Sequence, residues 1–302
     1  MSVFSGLSAF PPTLSDPDGG LIEADFTRLL TDLTEARSDQ ITLDSICLLG
    51  STGSYPYLSL AQRRRVLETG RDVVAGRLPL IVGIGALRTD HAQDLACHAA
   101  ANGADGLLLA PVSYTPLTEE EVYQHYATVA SATDLPLCIY NNPSTTNFTF
   151  SVKLLQRLAQ IPTIHAVKMP LPADGDFAGE IAALRDATPD GFVIGYSGDW
   201  LCPDALLAGA DSWFSVIAGL LPLPALKLTQ AARQGDRAEV ARLQQVMAPL
   251  WALFREYGSL RVIYSLAHLM SVTQAQPPRP VLPLPDSQLD RLRAALDSLQ
   301  GA

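Results

Sequence analysis

The stretch Ile164-His165-Ala166-Val167-Lys168-Met169-Pro170 reads as a short apolar strand ending in a lysine, with a proline two residues on. Lysine is scarce in this chain: Lys153, Lys168 and Lys227 are the three, and the other eighteen basic residues are arginines. Lys153 and Lys227 fall in stretches of helical period. Lys168 alone closes a strand. Two readings are open for it. Its stem packs while its ammonium reaches water, or it is a desolvated amine that forms a Schiff base with a carbonyl substrate.

On either side of this stretch the same unit recurs: a short apolar run, then a longer amphipathic one. Strands are predicted at Ser2–Ala9, Ser45–Leu49, Leu78–Gly83, Gly106–Ala110, Leu135–Tyr140, Thr163–Lys168, Phe192–Tyr196 and Ser212–Val216. The helices between and after them are predicted at Glu23–Ala36, Ser59–Ala75, Asp90–Ala101, Thr118–Ala130, Ser151–Ala159, Asp176–Asp186, Pro203–Ala208 and Pro224–Gln234. Ser59 is placed to cap its helix, and Thr118 with Glu121 has the capping-box spacing. Strands this short and apolar suit a parallel sheet covered on its outer face. Eight such units fit an α/β fold of the (β/α)8 TIM-barrel type better than an open doubly wound sheet. The open alternative wants a glycine-rich turn after its first strand, and Gly83-Ile84-Gly85 follows the third and lacks the third glycine. Arg237–Tyr257, Ser259–Met270 and Asp286–Leu299 read as further helices. The expected organisation is a catalytic barrel over residues 1–223 and a C-terminal helical region over 224–302.

Composition narrows the function. The chain has 302 residues, 48% hydrophobic and 17% charged, with a net charge of -10. That length holds one large domain or two, and the charge argues against nucleic-acid binding. Arg63-Arg64-Arg65 is the one basic run, expected as a solvated helix face. Cys47, Cys97, Cys138 and Cys202 form no CxxC pair, and Cys47 and Cys138 lie in strand-like runs, as free thiols of a reduced, cytoplasmic protein would. No signal peptide and no membrane span are read. The five histidines form no HExxH and no cluster with cysteine, so no metal is expected.

In a barrel of this type the chemistry collects at the C-terminal ends of the strands. The second strand delivers Gly50-Ser51-Thr52-Gly53 and the fourth Pro111-Val112-Ser113-Tyr114. The fifth delivers Tyr140-Asn141-Asn142-Pro143, the sixth Lys168, the seventh Ser197-Gly198-Asp199 and the eighth Ser215. Paired carboxylates are missing, which counts against glycoside hydrolysis and divalent-metal chemistry. One amine, one strand-end phenol and hydroxyls beside glycines remain. Apolar burial penalises the ammonium form of an amine. A phenol passes protons as a carbinolamine forms and collapses. Hydroxyls and N–H groups at a glycine turn can hold a carboxylate. Singly, Tyr140 could cap a strand and Ser51-Thr52 a tight turn; together with Lys168 they specify 2-oxo acid chemistry through an imine.

These residues resemble the dihydrodipicolinate synthase / N-acetylneuraminate lyase superfamily of pyruvate-dependent class I aldolases. The resemblance runs over nearly the whole chain. It is carried by Gly50-Ser51-Thr52-Gly53, by Tyr140-Asn141-Asn142-Pro143-Ser144 and by Val167-Lys168, with support from Gly209-Ala210-Asp211 through Phe214-Ser215-Val216. It implies that Lys168 forms the Schiff base with pyruvate or a similar 2-oxo acid, and that Tyr140 is the proton-transfer phenol. It implies that Ser51 and Thr52 bind the carboxylate at the Gly50–Gly53 turn, with Ser51 relaying protons to Tyr140, and that Gly198 and the backbone of Phe214 line the pocket. It implies no cofactor and a homotetramer or homodimer.

The departures are as informative. Where dihydrodipicolinate synthases carry Glu after the strand-two turn, this chain has Ser54. Where they carry two tyrosines after the strand-four proline, it has Val112 and Ser113, with Tyr114 one place later. Where they carry Arg two residues after the Y-N-x-P proline, it has Thr145, without a bidentate partner for a second-substrate carboxylate; Ser113 and Thr145 are nonetheless expected among the substrate-binding residues. Where they carry Glu after the lysine, it has Met169-Pro170. The expectation is therefore a Schiff-base lyase or aldolase that makes or breaks a carbon–carbon bond next to pyruvate, with an aldehyde or sugar-acid co-substrate. Whether it is a true 4-hydroxy-tetrahydrodipicolinate synthase or a sugar-acid aldolase stays open. The alternative is a non-catalytic 2-oxo acid-binding protein on the same barrel.

Overall fold

The computed structural model describes residues 2–300; Met1, Gly301 and Ala302, at the outer ends of the two expected regions, lie outside the described residues. Eight parallel strands close into a barrel: β1 (Gly6–Ala9), β2 (Ser45–Leu48), β3 (Leu80–Gly83), β4 (Gly106–Leu109), β5 (Leu137–Tyr140), β6 (Ile164–Met169), β7 (Val193–Tyr196) and β8 (Ser212–Ser215). Each pairs with its neighbour in sequence, and β1 pairs with β8 to shut the ring. Around them run α1 (Glu23–Glu35), α2 (Leu60–Val74), α3 (Thr89–Ala101), α4 (Glu119–Ala130), α5 (Val152–Leu158), α6 (Phe177–Ala187), α7 (Cys202–Leu207) and α8 (Pro222–Arg233). Then α9 (Arg237–Tyr257), α10 (Ser259–Leu269) and α11 (Leu289–Gln300) follow. The expected TIM barrel with its C-terminal helices is the fold observed.

Local chemistry explains the helix starts. Ser59 and Gln62 form a reciprocal capping box at α2, and Thr118 and Glu121 form one at α4. α1 buries Phe26, Leu29, Leu30 and Leu33, the face its spacing predicts.

The period-2 geometry of a strand sorts its side chains between two cores. Val167 and Met169 pack outward under the helices, while Ala166 belongs to the cluster inside the barrel. Cys47, Ile81, Leu108, Cys138 and Val193 share that interior layer. Phe4 enters it ahead of β1, and Phe10 and Phe214 stand at the other end, ring edge to ring face at 5.8 Å. Burial of each such side chain contributes about 1.5–3 kcal/mol. Lys168 and Tyr140, in step with Ala166 and Cys138, therefore face the barrel mouth.

Several expectations change. β1 starts at Gly6, because Ser2–Ser5 is a turn closed by Ser5 N donating to Ser2 O at 3.1 Å, and Phe4 in that turn is fully buried. A two-residue ribbon, Arg37–Ser38 with Ile41–Thr42, and a short helical turn, Pro143–Thr146, are additional. Arg63-Arg64-Arg65 is not a uniform solvated face. Arg63 is 4% exposed, donates to the carbonyls of Gly83 and Gly85 at 2.9 Å each, and lies 5.2 Å over the Tyr55 ring. Among the described residues, no helix is long and apolar enough to cross a membrane.

Candidate active site

A cavity of about 610 Å³ opens at the C-terminal ends of the strands. Lys168 lies in it, 3% exposed, paired in register with Tyr140 on β5 and Gly195 on β7. Its Nζ sits 4.1 Å from the Tyr140 ring centroid, 5.4 Å from that of Phe10 and 5.9 Å from that of Phe214. Among the described residues no carboxylate lies within 4.0 Å of it. Below it, Cys47 and Cys138 are fully buried, and burial pushes both thiols up, so they stay protonated.

The phenol of Tyr140 is held from two sides. Ser51 Oγ is 3.1 Å from Tyr140 Oη, and Asn142 Nδ2 donates to it at 3.0 Å. Thr52 donates to the carbonyl of Phe10 at 3.2 Å, which ties the β2 turn to the end of β1. The turn itself needs its glycines for space. A Cβ on Gly50 would lie 2.6 Å from the Phe10 ring, and one on Gly53 would lie 2.9 Å from the Leu49 backbone. The left-handed positions flanking them are Leu49 and Ser54. Ser54, fully buried, meets Tyr264 of α10 at 3.4 Å. Burial pushes the Tyr264 phenol up to about 12.

The other expected residues divide. Ser51, Thr52, Tyr140, Lys168, Gly198, Phe214 and Thr145 line the cavity, while Gly50 and Gly53 shape the turn behind it. Ser113 does not line it. Its hydroxyl donates to the carbonyl of Thr115, and it borders a separate hollow between α3 and α4. Tyr114 is 95% exposed and does not line the cavity either. The β4 end instead presents Val112.

Residues to which no role was assigned from the sequence complete the site. Asn142, quoted there at the end of the fifth strand, is two places beyond Tyr140, on the same side of an extended segment. Tyr55 also lines the cavity, and burial raises its phenol well above the ordinary value. Phe254, Ser259 and Leu260, at the junction of α9 and α10, form part of the wall. Asp199 is 2% exposed; it accepts from Trp213 Nε1 at 2.9 Å, Val216 N at 3.2 Å and Ile217 N at 2.8 Å, and so fixes the loop after β8. A larger hollow of about 810 Å³ lies between α1, α8 and α9, but it holds none of these strand-end residues.

Residues 4–299 match the model of the dihydrodipicolinate synthetase family. The chain belongs to that family. Within the dihydrodipicolinate synthetase family it is 31% identical to the 4-hydroxy-tetrahydrodipicolinate synthase of Gluconacetobacter diazotrophicus over 297 residues, 98% of this chain and 97% of the relative. It is 56% identical to a crystal structure described as a dihydrodipicolinate synthase of Agrobacterium tumefaciens, with a TM-score of 0.95 over 98% of each chain. A putative dihydrodipicolinate synthetase of Pseudomonas aeruginosa superposes with a TM-score of 0.89 at 28% identity, over 98% of this chain and 99% of that one. Membership places the chain among lyase-type enzymes, as its motifs led us to expect.

Proposed function

We propose that this enzyme is a Schiff-base aldolase or lyase that works next to the carbonyl of pyruvate or a closely similar 2-oxo acid. The observation that carries the proposal is a buried amine with no carboxylate partner among the described residues, set over a phenol whose oxygen is tied to Ser51.

The neutral amine of Lys168 attacks the ketone carbon, giving a carbinolamine. Tyr140 protonates the departing hydroxyl, water leaves, and a protonated imine remains beside the Tyr140 phenolate. Ser51, hydrogen-bonded to the Tyr140 oxygen, relays protons to and from it. The N–H groups of the Gly50–Gly53 turn, that of Thr52 among them, hold the carboxylate while the Thr52 hydroxyl stays on the Phe10 carbonyl, with Gly198 and Phe214 closing that side. The Tyr140 phenolate takes a C3 proton from the protonated imine and leaves the neutral enamine, whose carbon attacks an aldehyde carbonyl. Tyr140 gives that proton to the aldehyde oxygen, then takes one from the water that adds to the imine carbon; the C–N bond of the resulting carbinolamine breaks as its hydroxyl proton passes to nitrogen, releasing a 4-hydroxy-2-oxo acid and free lysine. Run backwards, the same steps cleave that acid. Thr145 stands in the acceptor half. Ser113 has no role in this scheme, in contrast to the sequence reading. The cycle needs no cofactor or metal. The barrel carries the reacting groups, and the region from residue 224 onward adds Phe254, Ser259 and Leu260 to the cavity wall. A cytoplasmic homotetramer or homodimer fits the family resemblance.

The test is exchange of the pyruvate methyl protons in deuterated water, followed by proton NMR. The expected result is enzyme-dependent loss of the methyl signal without any aldehyde, and no loss with Lys168→Ala. Wild-type enzyme that leaves the signal intact would overturn the proposal.

A further inference from the structure

We propose that the acceptor half of the cavity selects an uncharged aldehyde with an apolar or aromatic side, and that Trp200, Leu171 and Leu260 set this preference; the proposal rests on the Schiff-base reading above.

Charge accounting comes first. Among the described residues lining the cavity, Lys168 is the one cation and Asp199 the one carboxylate. Lys168 becomes the imine nitrogen, so it cannot also pair with an acceptor. Asp199 has both oxygens occupied by Trp213, Val216 and Ile217. An acceptor carboxylate entering this half would leave water and meet no cation among the lining residues but Lys168, which is unfavourable; the Arg261 guanidinium, near Gly258, is turned to the carbonyl of Tyr257 at 3.2 Å. Thr145 supplies only a hydroxyl.

Three of the hydroxyls at the mouth already donate within the protein. Ser144 Oγ donates to Asn142 Oδ1 at 2.8 Å, Thr145 Oγ1 to Asn142 O at 3.3 Å, and Ser197 Oγ to Met169 O at 3.3 Å. A polyhydroxylated acceptor can donate to these three hydroxyls, but to be donated to by them it must displace a hydrogen bond internal to the protein.

The remaining wall is apolar and held in place. Trp200 is pinned by Gln244 Nε2, which donates to its carbonyl at 3.0 Å, and Gln244 Oε1 accepts from Trp251 Nε1 at 2.8 Å. Both partners come from α9, so the C-terminal region sets the Trp200 backbone. Leu171 rests against Gly198, where φ is +109° and a Cβ would lie 2.7 Å from the leucine side chain. Leu260 reaches the same cavity from the start of α10. A cavity of about 610 Å³ accommodates a pyruvyl group together with an aryl aldehyde.

The experiment measures kcat/KM of the full chain with pyruvate and each of benzaldehyde, 4-formylbenzoate and glyceraldehyde, by chromatography of the 4-hydroxy-2-oxo acid product. Benzaldehyde is expected to exceed each of the other two by about 10- to 100-fold. Thr145→Arg, at an exposed site, is expected to raise 4-formylbenzoate relative to benzaldehyde by about tenfold. Trp200→Ala is expected to narrow the wild-type preference for benzaldehyde by about tenfold. Preference for 4-formylbenzoate or glyceraldehyde would overturn the proposal. So would methyl-proton exchange with none of the aldehydes turned over, which would leave the Schiff-base reading standing. Absence of exchange would remove both.

Discussion

Replacing Tyr140 by phenylalanine removes one oxygen and leaves the ring that faces Lys168. The ring centroid is 4.1 Å from Nζ and the residue is 6% exposed, so packing around the amine should persist. Two hydrogen bonds are lost, at 3.1 Å to Ser51 and 3.0 Å to Asn142. Each contributes about 0.5–1.5 kcal/mol net, and both partners are half-buried at a cavity edge where water can reach them. Tyr140→Phe should therefore lower stability by about 1–2 kcal/mol. Its effect on chemistry should be larger. If the phenol moves the protons of carbinolamine formation and collapse, its loss should slow the reaction by about 10²–10⁴-fold. That is about 3–5 kcal/mol of barrier, well beyond the stability change. The assay is the rate of methyl-proton exchange of pyruvate at saturation, run beside a urea melt. An exchange rate within about threefold of wild type, in a variant as well folded as this, would show that Tyr140 is not the proton carrier.

Three further outcomes are expected. Ser51→Ala should slow exchange by about 10-fold or more, and adding it to Tyr140→Phe should cost little extra; full additivity in that double-mutant cycle would break the proposed relay. Arg63→Met leaves the carbonyls of Gly83 and Gly85 without their donor, and should lower the urea midpoint by an amount equivalent to about 3 kcal/mol or more with an unchanged slope; a midpoint equal to wild type would contradict this. Burial holds the His125 imidazole down to about 4, with Nδ1 on Thr89 and Nε2 buried without a partner among the described residues. As pH falls from about 6.5 the unfolded chain takes the proton first, so the fold should lose on the order of 3 kcal/mol by about pH 4. Urea melts across that window should show the loss, and His125→Leu should flatten it; equal slopes would refute the assignment.

What could be seen in the sequence follows from what each signal measures. Apolar runs report burial on both faces of a strand, so eight covered parallel strands were visible without any structure. The same runs could not separate β1 from the turn before it, because Phe4 is as buried in a barrel plug as it would be in a strand. Arg63 was misplaced because its neighbours, Arg64 and Arg65, are solvated and charge carries no information about depth. Its burial depends on backbone carbonyls of Gly83 and Gly85, about twenty residues away along the chain. The grouping of Ser51, Tyr140 and Lys168 was legible because all three stand at strand ends, where topology alone brings them together. The C-terminal part of the cavity wall was not. Phe254, Ser259 and Leu260 reach the cavity through the fold-back of α9 and α10, and no local pattern announces that. Ser113 failed for a related reason: it stands at a strand end, but the chain turns there and commits its hydroxyl to Thr115.

The central claim is that Lys168 forms a covalent imine with a 2-oxo acid. Sodium borohydride added to the enzyme with pyruvate, followed by intact-mass measurement and peptide mapping, tests it most directly. The account expects one reduced pyruvoyl unit per chain, located on Lys168, and none in Lys168→Ala. An unmodified wild-type chain, or an adduct that persists in Lys168→Ala, would contradict it.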